Sequence, residues 1–415
     1  MPRTVPEGHG PVRYGPPAPD PGLPPLPELA AVLAAAAGRA HTEPPGGSPT
    51  LREAAAGYWR RRGMPVERDR TAAAPGAAPL LLALTAATGG DVLLPRPCPA
   101  WWAPQVRLLG RQAFHVPTPP ECGGVPDPYA LLETVRRVRA EGGDPRLLVV
   151  SVADDPTATV PPPEVLHETL EAALGEGLHI ASDETWRDTL HHPEETILIG
   201  PAEMRPQHVT VFADLSGGYL PPDWPAAIAR FPDTAEGLML RARALDVLTA
   251  LGSTVAAPVA AAAAHALGEP AEVTDRLTAA VRLYARLAET VHRIVLAAGA
   301  FGRAPVAGRH LYADFGPLRE AFARRGVTDA MELEDHLTEH LGMPVPGGHR
   351  FGDGLDALRA RLPVGPLLGG DNEQRLAALA ATDPLELPHV HRALTGLAGA
   401  LDALRADAQP TEPPR

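Results

Sequence analysis

The sequence predicts an α/β fold: a large domain with a mostly parallel central sheet, followed by a smaller α+β C-terminal domain. Three observations predict it. Up to about residue 230, short apolar runs alternate with helix-length amphipathic stretches, as in successive βα units. Beyond Phe231 the pattern shifts to long helices, one of them spanning about 272–297. A chain of 415 residues also exceeds what one hydrophobic core usually serves, so two closely joined units are expected.

The elements follow in order. Residues 1–47 are rich in Pro and Gly, with one Ala-rich helix near 29–38, and are expected to form an N-terminal arm. A helix is expected over 50–62, with Thr50 as its cap and Gly63 as its stop. Then come a helix at 76–88, a strand at 92–94, a helix at 101–109, a strand at 113–116 and a helix at 129–140. The strongly apolar run 147–152 is a strand, 164–175 a helix, and 179–182 and 209–213 are strands. Helices follow at 236–250, 255–267 and 272–297. Past these lie a strand at 309–315, helices at 318–325 and 331–341, a strand at 358–362, and helices at 372–381 and 389–405. The expected organisation is an arm (1–47), a large domain (48–270), a linking helix (271–298), a small domain (299–405) and a disordered tail (406–415).

Composition narrows the function. Hydrophobic residues make up 45% of the chain, enough for large cores, and the formal net charge is −13. That balance disfavours a nucleic-acid or anionic-membrane partner. No apolar run reaches the roughly 18 residues of a membrane span, and the first ten residues lack an apolar leader. A cytoplasmic location is the expectation. Cys98 and Cys122 are the only cysteines, so no disulfide framework is implied. All 37 basic residues are arginine; the chain has no lysine, and its one asparagine is Asn372. Arginine stays protonated and does not replace a primary amine in covalent chemistry.

Four stretches carry a resemblance to a known family. They are Leu51-Arg52-Glu53-Ala54 after a Gly-Gly turn; Gly76-Ala77-Ala78 at a helix start, then Gly90-Asp91-Val92-Leu93; the apolar run ending in Asp155-Pro156-Thr157; and Ile180-Ala181-Ser182-Asp183-Glu184. In this order they resemble the class I/II aminotransferases, fold type I enzymes that use pyridoxal phosphate. The likeness is strong over about 40–230 and weaker to about 400. It implies the fold type I architecture, a dimer with the pocket between subunits, and a cofactor held as an imine on a lysine.

The resemblance also assigns residues. Asp183 would pair with the cofactor's ring nitrogen, Gly76, Ala77 and Ala78 would cradle its phosphate, and Trp101 would be the ring-stacking aromatic. In the segment Asp214-Leu215-Ser216-Gly217-Gly218-Tyr219, Gly217 falls at the lysine position. Asp214 replaces a phosphate-binding serine, and Ser216 remains. With Trp224 keeping the register, Pro225 falls at the phosphate arginine. Asp155 replaces an asparagine that donates to the ring oxygen, which an ionised carboxylate cannot do. His41 replaces a tyrosine that reaches the neighbouring subunit. Arg359, or its rival Arg361, would pair with a substrate carboxylate. Each assigned residue also has a plain structural role available: a strand end for Asp183, a helix start for Gly76, a solvated arginine for Arg359.

Other constellations are weaker. His336 and His340, four apart on a helix with Glu332 and Glu339 nearby, have a metal-ligand spacing, but a solvated face explains them as well. His191-His192 and the pair His389 and His391 lack further ligands, and the Gly-Gly pairs are turns rather than dinucleotide fingerprints.

An ordinary aminotransferase would require a lysine that the chain lacks, which leaves two functions in the foreground. One is a non-catalytic aminotransferase-like protein that binds a ligand or serves as the partner subunit of a related chain. The other is an enzyme of altered mechanism acting on an amino- or keto-acid-like ligand. It would use non-covalent pyridoxal or pyridoxamine phosphate, or no cofactor, with Tyr219, His41 or Asp183 as base. A small carboxylate ligand and a homodimer, or a heterodimer with a related aminotransferase, are the expected partners. No metal is expected, and pyridoxal phosphate enters only through the resemblance, without covalent attachment.

Overall fold

A computed structural model describes residues 21–38 and 42–408. The expectations for residues 1–20, for His41 and for 409–415 lie outside that range.

Among the described residues the large sheet has seven strands: β1 (Thr71–Ala74), β2 (Asp91–Arg96), β3 (Ala113–Pro117), β4 (Pro145–Ser151), β5 (His179–Asp183), β6 (Val209–Asp214) and β7 (Ala227–Arg230). Their spatial order is β1-β7-β6-β5-β4-β2-β3. The neighbours from β3 to β6 run parallel, and β7 is antiparallel to both β6 and β1. The sheet is therefore mostly parallel, as the βα alternation implies.

Both faces are covered, and the period of two along β4 shows how. Leu148 and Val150 point into a core with Tyr58, Trp59, Leu131 and Leu166. Leu147 and Val149 point the other way, into a core with Leu80, Leu84, Trp102 and Phe231. Each such side chain contributes roughly 1.5–3 kcal/mol on full burial.

Past residue 270 a third core takes over. The 27-residue helix Ala271–Ala297 presents Leu283, Leu287, Val291 and Val295 at four-residue spacing, hence on one face. They pack with Leu311 and Leu362 from an antiparallel pair, β8 (His310–Asp314) and β9 (Arg359–Pro363), and with Phe315, Phe322 and Leu333. This is the smaller α+β part.

Two local expectations are corrected, and two strands were not expected. The second helix is Pro49–Arg61, capped by Ser48 rather than Thr50: the Leu51 N–H donates to Ser48 Oγ at 3.4 Å. The last helix runs Pro388–Ala408, so residues 406–408 continue it instead of beginning a disordered tail. Strands β1 and β7 carry no sequence expectation at all. Each is four residues long and Ala-rich, so neither β-propensity nor alternation marks it; burial at every position marks both as strands.

Candidate functional site

The five parallel strands end on one edge of the sheet, and in open α/β folds that edge is where ligands bind. β4 runs out into Asp154 and Asp155, β5 ends on Asp183, and β6 ends on Asp214. Beside β6 begins the helix Ala77–Thr88. Its N-cap, Gly76, has φ 105°, a conformation that L side chains rarely adopt.

A helix N-terminus leaves backbone N–H groups without intrahelical partners, a ready anion site. Here that site is engaged from within. Asp214 Oδ2 accepts from the Ala77 N–H at 2.7 Å, and Asp214 Oδ1 accepts from the Ser216 N–H at 2.9 Å. The same carboxylate thus caps the start of one helix and the turn of its own segment. Behind Ala77, the Ala78 carbonyl accepts from Gln105 at 2.9 Å.

Thr185 stitches the neighbouring strand ends together. Its N–H and hydroxyl donate to Asp183 Oδ1 at 3.0 and 2.6 Å, while its hydroxyl oxygen accepts from the Asp214 N–H at 3.0 Å. Asp183 is buried, and burial pushes its carboxyl up to about 7; the Thr185 bonds oppose that shift, and the charges of Asp214 and Asp155 add to it. Gly217 lies against the same residue. A Cβ built there would fall under 3.0 Å from the Thr185 carbonyl oxygen, closer than real Cβ atoms approach.

Asp155 faces the small part of the chain. Its Oδ1 accepts from Arg361 Nη1 at 2.6 Å, and His310 Nε2 lies 3.6 Å away, beyond hydrogen-bond range. Burial opposes ionisation of Asp155, yet its ion pair with Arg361, helped by the nearby charge of Arg309, holds it below the usual carboxylate range. Burial also pushes the His310 imidazole down to about 3, so the ring is neutral at pH 7. That ring meets Trp186 edge-on, with centroids 5.7 Å apart.

The other sequence candidates scatter. Trp101 is half-buried and packs edge-on against the fully buried Trp102 at 6.1 Å. Arg359 lies outward of Arg361 on β9 and pairs with Asp314 at 3.0 Å and Asp353 at 3.4 Å. Tyr219 turns away from the strand ends. Its hydroxyl meets Arg62 at 2.7 Å, Asp188 at 3.0 Å and Glu269 at 3.1 Å, and burial, with those carboxylates, pushes its pKa far up. His336 and His340 stack on each other at 3.9 Å, and among the described residues no three His, Cys, Asp or Glu side chains gather to hold a metal ion.

Sequence reasoning missed Thr185, Trp186 and His310. Thr185 has a local signal, since an acidic residue followed two positions on by Thr favours such a turn. The other two come together only through the β8–β9 pair and have none.

The comparisons with known proteins agree with this architecture. Residues 20–217 match the family model described as aminotransferase class I and II. The chain is 35% identical over 179 residues to a probable aspartate/prephenate aminotransferase of Thermus aquaticus, covering 42% of this chain and 44% of that protein. It is 34% identical over 183 residues to the aspartate/prephenate aminotransferase of Thermus thermophilus, covering 43% and 45%. These matches span under half the length of either relative. Among solved structures, a tetra mutant of Thermus thermophilus aspartate aminotransferase superposes with a TM-score of 0.74 at 22% identity, over 96% of this chain and 100% of that one. The aspartate aminotransferase from Rhizobium meliloti gives 0.74 at 16%, over 93% and 90%. At that identity the superpositions establish the fold, which is that of the fold type I aminotransferases. No helix among the described residues is long and apolar enough to cross a membrane.

Proposed function

We propose that this chain, which matches the class I and II aminotransferase family model over residues 20–217, is a member of that family that has given up transamination. It acts instead as a binding protein, or as the partner subunit of a related aminotransferase. The observation that carries this reading is the Asp214 carboxylate on the Ala77 N–H at 2.7 Å. Where the resemblance puts a cofactor phosphate, the chain supplies its own anion.

Pyridoxal phosphate, which would supply the electron sink for transamination, does not fit the residues present. Covalent attachment needs an amine, and the chain has no lysine. At Gly217, which the resemblance puts at the lysine position, the Thr185 carbonyl leaves no room for a Cβ. Pro225 stands where a phosphate arginine is expected. A phosphate near Asp214 would be repelled by about 4 kcal/mol per pair of unit charges at ~4 Å and an effective dielectric near 20. The carboxylate-binding side is engaged in the same way, with Arg361 on Asp155 and Arg359 on Asp314 and Asp353. A ligand carboxylate at either guanidinium would have to displace one already present. An altered-mechanism enzyme needs a replacement base, and Tyr219 is committed to Arg62, Asp188 and Glu269.

The test is a titration of the full chain with pyridoxal phosphate at neutral pH, followed by calorimetry and visible absorption, beside an Asp214→Ser variant. The unmodified chain is expected to show neither pocket-specific imine absorbance nor saturable binding below the millimolar range. The variant should bind the cofactor non-covalently about 10- to 100-fold more tightly, as expected when one charge repulsion is removed. Low-micromolar saturable binding by the unmodified chain would sink the reading.

A further inference from the structure

A second cavity opens beside the end of β4, away from the Asp214 contact. It is a cleft of about 650 Å³ between the β2–β4 side of the large sheet and the small β8–β9 sheet, within the roughly 300–1,000 Å³ of small-molecule sites. Asp214, Asp183, Gly76 and Gly217 are not among its walls.

Its charge runs against that of the chain. The formal net charge is −13, yet this cleft is lined by three arginines, Arg96, Arg303 and Arg359, against two aspartates, Asp314 and Asp353. Both carboxylates are spent on Arg359, and Asp353 also accepts from the Tyr312 hydroxyl at 2.8 Å. Arg303 donates to the neutral Pro120 carbonyl at 2.8 Å. Among the described residues neither Arg303 nor Arg96 is in an ion pair. Two of the lining arginines are left without an ion pair, and neither lining carboxylate is spare.

The rest of the lining is apolar and poorly covered. Four prolines form one wall. Phe301 and Leu296 line the same cleft while 65% and 44% exposed, among the most exposed large apolar side chains of the fold. The remaining polar side chains are the hydroxyls of Thr118, Thr157 and Thr159, the last two with oxygens 2.6 Å apart.

We propose that this cleft binds a small organic acid with an apolar body and no amino group. The carboxylate pairs with Arg303 and Arg96, and the apolar body covers Phe301, Leu296 and the proline wall. Guanidinium–carboxylate pairing favours the acid over its amide. An ammonium group would enter with no carboxylate free to receive it and two cations already present, so the corresponding amino acid binds less well. The site shares no residue with the Asp214 contact and stands whether or not the reading above holds.

Calorimetry on the full chain tests it with three probes: 3-phenylpropionate, 3-phenylpropanamide and phenylalanine. The acid is expected to bind saturably at one site, with the amide and phenylalanine each weaker by about tenfold or more. Arg303→Gln and Arg96→Gln, both exposed positions whose melting temperatures verify folding, should each weaken the acid about tenfold, and Phe301→Ala should weaken it several-fold. Asp214→Ser should leave it unchanged. The proposal is overturned by the absence of saturable binding up to about 10 mM, by equal binding of acid and amide, by folded arginine variants that bind as well as the parent, or by tighter binding in Asp214→Ser at an unchanged one-site stoichiometry, which would place the acid at the strand ends.

Discussion

At Asp214 one carboxylate serves two backbone donors, and the consequences are measurable one side chain at a time. Asp214→Ser removes the charge that excludes a phosphate, hence the gain in cofactor affinity expected above. Gly217 gives the complementary result. Because a Cβ there meets the Thr185 carbonyl, Gly217→Ala should lower stability by about 1–3 kcal/mol in urea unfolding. Gly217→Lys should fail to produce an imine for the same reason, even with Asp214→Ser and Pro225→Arg added. Asp183 makes stability depend on pH. Its folded pKa of about 7 lies above the unfolded carboxyl value, so between about pH 4 and 7 the folded state holds a proton that the unfolded state has lost. Its contribution therefore declines as pH rises through that window, by at most about 1.4 kcal/mol per pH unit. Asp183→Asn keeps an acceptor for Thr185 and removes the titration. The variant should gain on the parent from pH 4 to 7 and hold a constant advantage above it, as read from urea unfolding at each pH. A parallel pair of curves would show that Asp183 does not titrate there.

At the scale of elements, the helix Pro49–Arg61 is anchored by the residue after it. Arg62 stacks its guanidinium 3.6 Å over the Tyr58 ring and bridges Asp188 at 2.8 Å and Glu269 at 2.6 Å, with Tyr219 bound to the same group. This one side chain joins that helix, the turn at 187–189, the segment after β6 and the connection before Ala271–Ala297. Arg62, Asp188 and Glu269 are only 13%, 20% and 15% exposed, so removing the cation strands the Asp188 carboxylate and leaves Glu269 with Arg61 alone. Arg62→Ala should cost about 3–5 kcal/mol, measured as a shift in the urea midpoint at constant slope. A loss under 1 kcal/mol would show that water reaches the carboxylates readily. The large and small parts are joined at several points: Arg361 on β9 donates to Asp155 after β4, the Val306 N–H to the Ala158 carbonyl at 2.8 Å, and the Cys98 N–H to the Phe351 carbonyl at 2.9 Å.

For the whole molecule, the expectation is a homodimer, or a heterodimer with a related chain. The family resemblance supports it, and such interfaces usually exceed about 2,000 Å². Part of the N-terminal arm lies on its own chain: the Pro24 carbonyl accepts from Arg276 at 2.7 Å, and the Pro21 and Gly22 carbonyls accept from Arg375 at 2.9 and 2.8 Å. Static light scattering at micromolar concentration should give about twice the chain mass of 43.6 kDa. A mass of one chain would leave the partner-subunit reading dependent on a second protein, which co-expression with a related aminotransferase would then test.

The sequence by itself determined the architecture, because hydrophobic periodicity is a local property. The four-residue spacing from Leu283 to Val295 fixes a helix face, and the apolar run at 147–152 fixes a buried strand, whatever lies around them. Composition also settled one point of chemistry outright, since a chain without lysine offers no side-chain amine. The order of motifs put Asp183, Asp155, Asp214 and Gly217 on one edge of the sheet. What each does there was decided only by tertiary structure. Whether Asp214 repels a phosphate or occupies its place depends on a 2.7 Å contact with a residue 137 positions away. Whether Arg359 or Arg361 meets Asp155 depends on how β9 pairs with β8. The alanine strands β1 and β7 form because neighbouring strands and helices bury them, not because of their own propensity. Long-range hydrogen bonds, ion pairs and burial leave no periodic trace in the chain, so residue roles at the strand ends, unlike the strands themselves, could be read only from the folded molecule.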